Sequence, residues 1–482
     1  MNVMTLPSGI VAEKCAASWD RCFRPPLTVT STSVLRPWMN KLKVGFLAFI
    51  SRLHPVRLVA LGYLSYCLIG WGILSLPVCH ETEAVSSLDA LFSSTSAVST
   101  TGLVTISVGN DLNFFGQFVL LVLMQLGGIG YMTFGSFVVL SRSESLPARR
   151  QQVGKIVFNL PVEFRLDKFI RSVIYFTLVV EAIGAITLYF AFVDAGLPQP
   201  IWSAIFHSVS AFCTAGLSLY DDSFEQCRGN VAVNATLGCL SYLGAIGFIV
   251  FVDGVRCLFS RARRLTLTSR VILVTTGWLS LGGVLLFFIQ EPTIQHEPPA
   301  ARLLTSCFQV MTSITTVGFN TVPIGELSQA SLFLIILLML IGASPSGTGG
   351  GLKTTTFTAL FGIVRAAAMG RKNVTFWNRD IPNARLRHAM ANLGVYAMAL
   401  ITGCYLLALT ESTTFEALLF EAASALGTVG LSTGITTELT PLGQLILIWL
   451  MFVGRLGPLV FGIAIFLPPH REGPERQEDL VV

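Results

Sequence analysis

Charge is what this sequence has least of. Of its 482 residues, 12% are charged and 52% are hydrophobic, and the mean hydropathy is +0.69. Soluble domains carry about 25% charged residues, so a soluble enzyme around one core is excluded and an integral membrane protein is expected. The ten cysteines form no C-x-x-C pair and no Cys/His ligand spacing, which argues against structural zinc. No serine–histidine–carboxylate grouping and no cofactor motif marks a catalytic centre, so neither an enzyme nor a covalently bound cofactor is expected. Residues 1–55 hold scattered charges and prolines but no compact apolar stretch after a basic start, so no secretory signal is expected. The first long apolar run, 56–79, reads as a retained spanning helix.

The charge that is present is unevenly placed. Most of the 32 Lys and Arg residues lie in the arm 1–55, in 141–168, 256–270 and 365–388, and in the tail 468–482. The alternate polar loops carry mostly acids, such as Glu81, Asp221, Glu225, Glu291 and Glu438. By the positive-inside rule the basic stretches and both termini are cytoplasmic. Topology thus explains the basic loops, and no nucleic-acid partner is expected. Cys79 and Cys227 fall on the outer side; whether they pair is left open, since sequence does not give their separation.

Eight spanning segments are read in pairs: 56–79 with 114–140, 169–193 with 233–258, 270–290 with 331–369, and 389–410 with 441–467. Between the members of each pair lies a shorter apolar segment, about 88–98, 202–212, 303–314 and 416–426. Each is too short to cross a bilayer and suits a re-entrant half-helix. Each ends in a small-polar run closed by glycine: Ser99-Thr100-Thr101-Gly102, Cys213-Thr214-Ala215-Gly216, Thr315-Thr316-Val317-Gly318 and Gly427-Thr428-Val429-Gly430. In each, a phenylalanine (Phe92, Phe206, Phe308, Phe420) stands four residues before a Ser or Thr. The glycines recur at spacings of 114, 102 and 112 residues, which points to internal duplication.

The expected fold is therefore all-α and membrane-integral, with four parallel helix–pore-loop–helix repeats around one pore. The expected bounds are 56–140, 169–258, 270–369 and 389–467. Loops of this composition can aim backbone carbonyls at a dehydrated cation, glycine enters the required conformations cheaply, and the C-terminal dipole of each half-helix favours a cation there. K+ held by these carbonyls alone is the expected metal. Small polar residues with glycine also serve plain helix packing, but four copies in register favour the ion-binding reading.

Two further features stand out. The run Gly342-Ala343-Ser344-Pro345-Ser346-Gly347-Thr348-Gly349-Gly350-Gly351-Leu352-Lys353 interrupts the sixth apolar segment, where irregular backbone is tolerated only in a protein interior or a watery cavity. The other three repeats are read as lacking such a break. The run is read as a gate in preference to a passive kink at Pro345; as a phosphate loop it fails, because Leu352 stands where a glycine should precede Lys353. Arg455 lies within the last apolar segment, where a lone arginine costs on the order of 2.5–3.5 kcal/mol or more. It is expected to meet carbonyls or the loop, or else to snorkel to the inner interface. His207 and Glu421 are read as braces of the half-helices, Glu181 as a partner for a neighbouring hydroxyl, and Asp253 as interfacial.

These features resemble the superfamily of potassium transporters that includes the bacterial TrkH and KtrB subunits and their plant and fungal (HKT-type) relatives. The resemblance rests on the four loop glycines, on Gly350-Gly351-Leu352-Lys353 and on Gly454-Arg455-Leu456-Gly457-Pro458. It spans about residues 50–467, and the short form looks more like the KtrB branch. It implies channel-like K+ uptake across a plasma (bacterial inner) membrane by a homodimer. It also implies a cytosolic regulatory ring of the KtrA/TrkA type, through which alone a nucleotide (ATP/ADP or NAD) would act, and Na+ as an activator. Gly102, where sodium-carrying members have Ser, agrees with K+ selectivity. A Na+-permeable or K+/Na+ symporting mode is the alternative.

Overall fold

The computed structural model describes residues 55–81, 85–130, 166–259 and 265–466. The expected arm up to residue 54, the loop and helix end at 131–165, and the tail 468–482 lie outside the described residues. Four successive units are built alike. Helix α1 (Pro55–Leu74) is followed by a short helix α2 (Ser87–Ser99) and by α3 (Phe114–Ile129). The second unit has α4 (Leu166–Asp194), short α5 (Pro200–Phe212), α6 (Val231–Ile246) and α7 (Phe248–Phe259). The third has α8 (Leu267–Gln290), short α9 (Pro299–Thr315), α10 (Gln329–Leu340) and α11 (Thr354–Ala368). A hairpin, β1 (Thr375–Phe376) with β2 (Arg379–Asp380), leads to α12 (Asn383–Thr410), short α13 (Phe415–Gly427), α14 (Pro441–Leu456) and α15 (Pro458–Phe466).

The expectation of eight spanning segments of which only the sixth is interrupted is corrected here. Among the described residues four helices are long and apolar enough to cross a membrane: α1, α4, α8 and α12, the first of each unit. The second segments are broken. Helices α6 and α7 meet at 92°, and α14 and α15 at 99°. Helices α10 and α11 are separated by the glycine-rich run. Nor is a break confined to the third unit: Gly247 (φ 92°), Gly457 (φ 84°) and, after α3, Gly130 (φ 85°) all leave the helix with positive φ, a region open to glycine and closed to most side chains. The third unit differs in the length of its interruption.

The short helices form the buried centre. From Phe92 to Ser99 every residue of α2 is buried, as are Phe206–Phe212 of α5, Phe308–Thr315 of α9 and Leu418 with Phe420–Gly427 of α13. The long helices instead turn side chains such as Trp278, Leu281 and Leu285 outward, as a lipid-facing surface requires. Each short helix packs between the two long partners of its own unit and against the preceding unit: α3 on α5, α6 on α9, α10 on α13, and α14 back on α2. The order of contacts closes on itself.

The second helices start at side-chain caps, each a polar residue placed before an apolar run. Asn113 accepts from the Phe115 and Gly116 N–H groups, Asn230 from Val233, Ser328 from Ser331 and Thr440 from Gly443. In units three and four a carboxylate at the end of the first helix holds this cap. Glu291 accepts from Ser328 N–H and Oγ (3.2 and 2.9 Å) and from Thr293 N–H; Glu411 accepts from Thr440 N–H and Oγ1 (3.2 and 2.5 Å). Cys79 and Cys227 are both free thiols.

Glu291 is fully buried, whereas Glu411 is half-buried. Hydrogen bonds to a charged group contribute about 1.5–3 kcal/mol, and removing a buried acceptor leaves its donors unsatisfied. Glu291→Ala is therefore expected to lower the thermal midpoint of the detergent-solubilised protein more than Glu411→Ala. Equal losses would mean that water replaces both carboxylates.

Candidate functional site

Four turns meet where the short helices end. In each, a threonine two residues before the glycine adopts the left-handed conformation: Thr100 (φ 54°), Thr214 (50°), Thr316 (59°) and Thr428 (49°). The next residue donates its N–H to the carbonyl five residues back, as Thr101 to Ser96 (2.9 Å), Ala215 to Ser210 (2.8 Å), Val317 to Thr312 (3.1 Å) and Val429 to Ser424 (2.9 Å). This closes the helix end much as a left-handed C-cap does. Then come Gly102 (φ 99°), Gly216 (66°), Gly318 (87°) and Gly430 (94°). In three of the turns the hydroxyl six residues before the glycine reaches over: Ser96 and Ser424 accept from Gly102 and Gly430 N–H (both 3.0 Å), and Ser210 donates to Leu217 O (2.8 Å), whereas the Thr312 hydroxyl has no partner among the described residues.

The glycines also set how the turns touch. A Cβ on Gly102 would meet Ala215 O, on Gly216 Val317 O, on Gly318 Val429 O and on Gly430 Thr101 O, each closer than real Cβ atoms approach. Every glycine thus faces the carbonyl one residue before the glycine of the next unit, and the fourth faces the first. Ser99, Cys213, Thr315 and Gly427 stand one position before the threonines. Ser99 and Thr101 hydroxyls pair at 2.6 Å, Thr315 Oγ1 donates to Met311 O (2.7 Å), and the Cys213 thiol lies 3.8 Å from Glu181 Oε1.

A belt of polar side chains nine residues before each glycine backs these turns. Leu219 N–H donates to His207 Nε2 (3.2 Å), which leaves Nδ1–H to donate to Ser203 O (2.8 Å). Glu421 accepts from Ser432 Oγ (2.5 Å), Thr433 N–H (3.1 Å) and Thr436 Oγ1 (2.9 Å). Gln309 donates to Thr321 Oγ1 at 3.2 Å. Ser93, at the same register, has a buried hydroxyl with no partner among the described residues. Ser93 and Gln309 were not picked out from the sequence, although counting back from the glycines would have found them. Glu181 accepts from Gln125 Nε2 (3.0 Å), and its carbonyl takes the Ser208 hydroxyl (2.7 Å). Asp253 accepts from Thr266 N–H at the start of α8 (2.7 Å).

The run 342–353 lies against all four threonines. Thr348 Oγ1 is 3.2 Å from Thr214 Oγ1, Thr348 O is 3.5 Å from Thr100 Oγ1, and Gly350 N–H donates to Thr316 Oγ1 (3.2 Å). A Cβ on Gly350 would strike Thr428 Oγ1. The run folds on itself through Ala343 N–H to Gly350 O (3.1 Å) and Gly347 N–H to Ser344 O (3.2 Å), while Gly342 packs against Gly351. It is tied to the end of α6 by Ser344 N–H to Ala245 O (3.0 Å), Thr348 N–H to Gly244 O (3.1 Å) and Phe248 N–H to Ser346 O (3.2 Å). Lys353 Nζ donates to Gly349 O (2.5 Å) and Gly350 O (3.3 Å). The Arg455 guanidinium donates to Thr348 O and to Gly127 O, so it points into the protein and not toward an interface.

A family model described as "TrkH: Cation transport protein" matches residues 65–469. The chain is 33% identical over 419 residues to "Ktr system potassium uptake protein B" of Vibrio alginolyticus, covering 86% of this chain and 91% of that protein. It is 33% identical over 429 residues to "Potassium/sodium uptake protein NtpJ" of Enterococcus hirae, covering 87% and 94%. The crystal structure of the potassium transporter TrkH from Vibrio parahaemolyticus superposes with a TM-score of 0.66 over 84% of each chain at 21% identity, a likeness of fold.

Pinned by α6, by Lys353 and by Arg455, the run 342–353 should exchange its amide protons slowly. In Arg455→Ala, which frees Thr348 O and Gly127 O, hydrogen exchange of a peptide spanning 344–352 is expected to quicken by about tenfold or more, the equivalent of losing one charge-assisted bond of about 1.5–3 kcal/mol. Unchanged exchange would mean that the α6 bonds alone hold the run.

Proposed function

Because the chain belongs to the TrkH family of cation transport proteins, and is a transporter and not an enzyme, we propose that it takes up potassium through the opening bounded by its four glycine turns. The observation that carries this reading is the closed circle of Gly102, Gly216, Gly318 and Gly430, each against a carbonyl of the next turn. We read the units as four parallel helix–pore-loop–helix repeats around one axis, the second crossing of each being broken. Carbonyls of the runs 99–102, 213–216, 315–318 and 427–430 would replace the hydration shell of K+. The short helices add their C-terminal dipoles. An inside-negative potential supplies about 2.3 kcal/mol per 100 mV for each monovalent cation.

The run 342–353 would then be the gate, since it covers the four threonines on the side where Lys353 and Arg455 lie. The Arg455 guanidinium there opposes K+ until the run moves, and the run's hydrogen bonds to α6 and Arg455 define what must break. On this reading the basic connections and both termini face the cytoplasm of a plasma membrane. A homodimer and a cytosolic nucleotide-binding ring, which the family resemblance implies, complete the proposal; the relatives' names, a "protein B" of a "Ktr system", agree with more than one component. A second reading, sodium passage or sodium stimulation, is favoured by the potassium/sodium name of the Enterococcus relative.

The test is Rb+ or K+ uptake by potassium-uptake-deficient cells expressing the chain, with and without Na+. Gly318→Ser is expected to lower K+/Na+ discrimination while the protein still reaches the membrane, because its side chain displaces Val429 O. Unchanged ion preference would remove the turns from the pathway. Arg455→Ala, or shortening of Gly347–Gly351, is expected to raise flux; unaltered or lower flux would make the run a structural kink. Transport equally fast in Na+ alone would favour the second reading.

A further inference from the structure

The connection between α11 and α12 carries a feature the transport reading does not use. Residues 369–382 form a short ordered hairpin, with Thr375 paired to Asp380 and Phe376 to Arg379. It is seated by Val374 and Leu386, both buried against Ala366, and by Ile381 N–H donating to Val374 O (2.9 Å). Its two turn residues, Trp377 (φ 45°) and Asn378 (φ 60°), both adopt the left-handed conformation. A two-residue hairpin turn of this kind favours Asn-Gly; a tryptophan at its first position is a sterically costly choice. Trp377 nevertheless stands there half out of the protein, 47% exposed. A strained, exposed aromatic is a reason to look for a function.

Its surroundings say which. The Arg270 guanidinium lies 5.1 Å from the Trp377 ring centroid. Arg270 is in the first turn of α8, one turn before the outward-facing Leu273 and Val274 and two before Trp278. The hairpin tip therefore sits level with the end of a membrane-crossing helix, in the headgroup zone where tryptophan concentrates. Around it Arg371, Lys372, Arg379 and Arg387 are exposed, and their side chains make no ion pair or hydrogen bond among the described residues. The acid of the hairpin, Asp380, accepts from Asn373 (3.3 Å). A basic cluster beside an interfacial tryptophan fits the phosphate headgroups of anionic lipids.

We propose that the hairpin 369–382, with Arg270 and the start of α12, binds anionic phospholipid headgroups at the membrane surface. The assignment rests on the reading that this face is the cytoplasmic one. A cytosolic protein is the less favoured occupant, because the Trp377 ring lies against Arg270, one turn from the outward-facing Leu273 and Val274 of a membrane-crossing helix. Bound headgroups would fix the ends of α11 and α12, and through α11 the exit of the run 342–353.

The experiment uses the full chain and no transport readout. Purified protein is incubated with equal phosphatidylglycerol and phosphatidylcholine, and retained lipid is counted by native mass spectrometry. The wild type is expected to retain phosphatidylglycerol preferentially, and Arg371→Gln/Lys372→Gln/Arg379→Gln to lose that preference by about tenfold or more, given the attraction of each surface Lys or Arg to anionic lipid. In phosphatidylglycerol vesicles, a brominated analogue should quench a tryptophan signal that is absent in Trp377→Phe. Equal retention of the two lipids, or a preference unmoved by the triple substitution, overturns the proposal. So does a triple variant that keeps its lipids but no longer co-purifies with a cytosolic subunit. A protein that binds phosphatidylglycerol as expected yet moves no potassium would count against the transport reading alone.

Discussion

Everything in this structure depends on how backbone carbonyls are handled away from water. A membrane-buried chain must either satisfy each carbonyl internally or give it a substitute partner. The four turns do something harder, for they leave helical geometry deep inside the protein and set a carbonyl beside the next turn. Three local devices make this possible in each unit: a left-handed threonine, a bond from the following N–H back to the helix, and a glycine with no Cβ to collide with the neighbour. Any one of the four glycines given a side chain would push on Ala215, Val317, Val429 or Thr101. The circle therefore tolerates change at none of its corners independently, and the packing of α3, α6, α10 and α14 on the following short helix follows from the same geometry.

The broken second helices belong to the same account. A helix that stops at Gly130 or Gly247 leaves the carbonyls of its last turn without intrahelical donors. Those carbonyls are the ones used: Gly127 O and Gly128 O take the Arg455 guanidinium, while Gly244 O and Ala245 O take the N–H groups of Thr348 and Ser344. The third unit thus fills, with its long irregular run, the acceptors that the second unit's break exposes. The fourth unit sends Arg455 to the acceptors of the first. What looks in sequence like a charged residue misplaced in an apolar helix is the donor that the other breaks require.

This explains what could be read beforehand and what could not. The turns were legible because glycine with small polar neighbours recurs at nearly equal spacing. The breaks at Gly247 and Gly457 were missed because one glycine inside an apolar helix costs only about 1 kcal/mol and is often tolerated there. Only the neighbour that packs against it reveals the bend. Ser93 and Gln309 escaped for another reason. Bracing a turn needs a polar atom at the right height, not a particular chemistry, so the same register holds Ser, His, Gln and Glu and presents no motif. The threonines two residues before the glycines were in plain view, but their role depends on a positive φ that threonine rarely adopts.

The uneven braces have a consequence of their own. Glu421 receives Ser432, Thr433 and Thr436, and His207 ties its own helix to residues 218 and 219. Gln309 makes one such contact, and the Ser93 hydroxyl makes none among the described residues. The units with strong braces, two and four, stand opposite each other in the order of contact, and the weakly braced units one and three lie between them. A circle of four near-equal turns is thereby held along one diagonal and left more compliant along the other. Duplication supplies the equal backbones; divergence at a single register decides which of them is stiff. The irregular run 342–353 belongs by sequence to unit three, on the compliant diagonal, while its hydrogen bonds reach α6 of unit two and Arg455 of unit four, so moving it must break contacts with the two braced units.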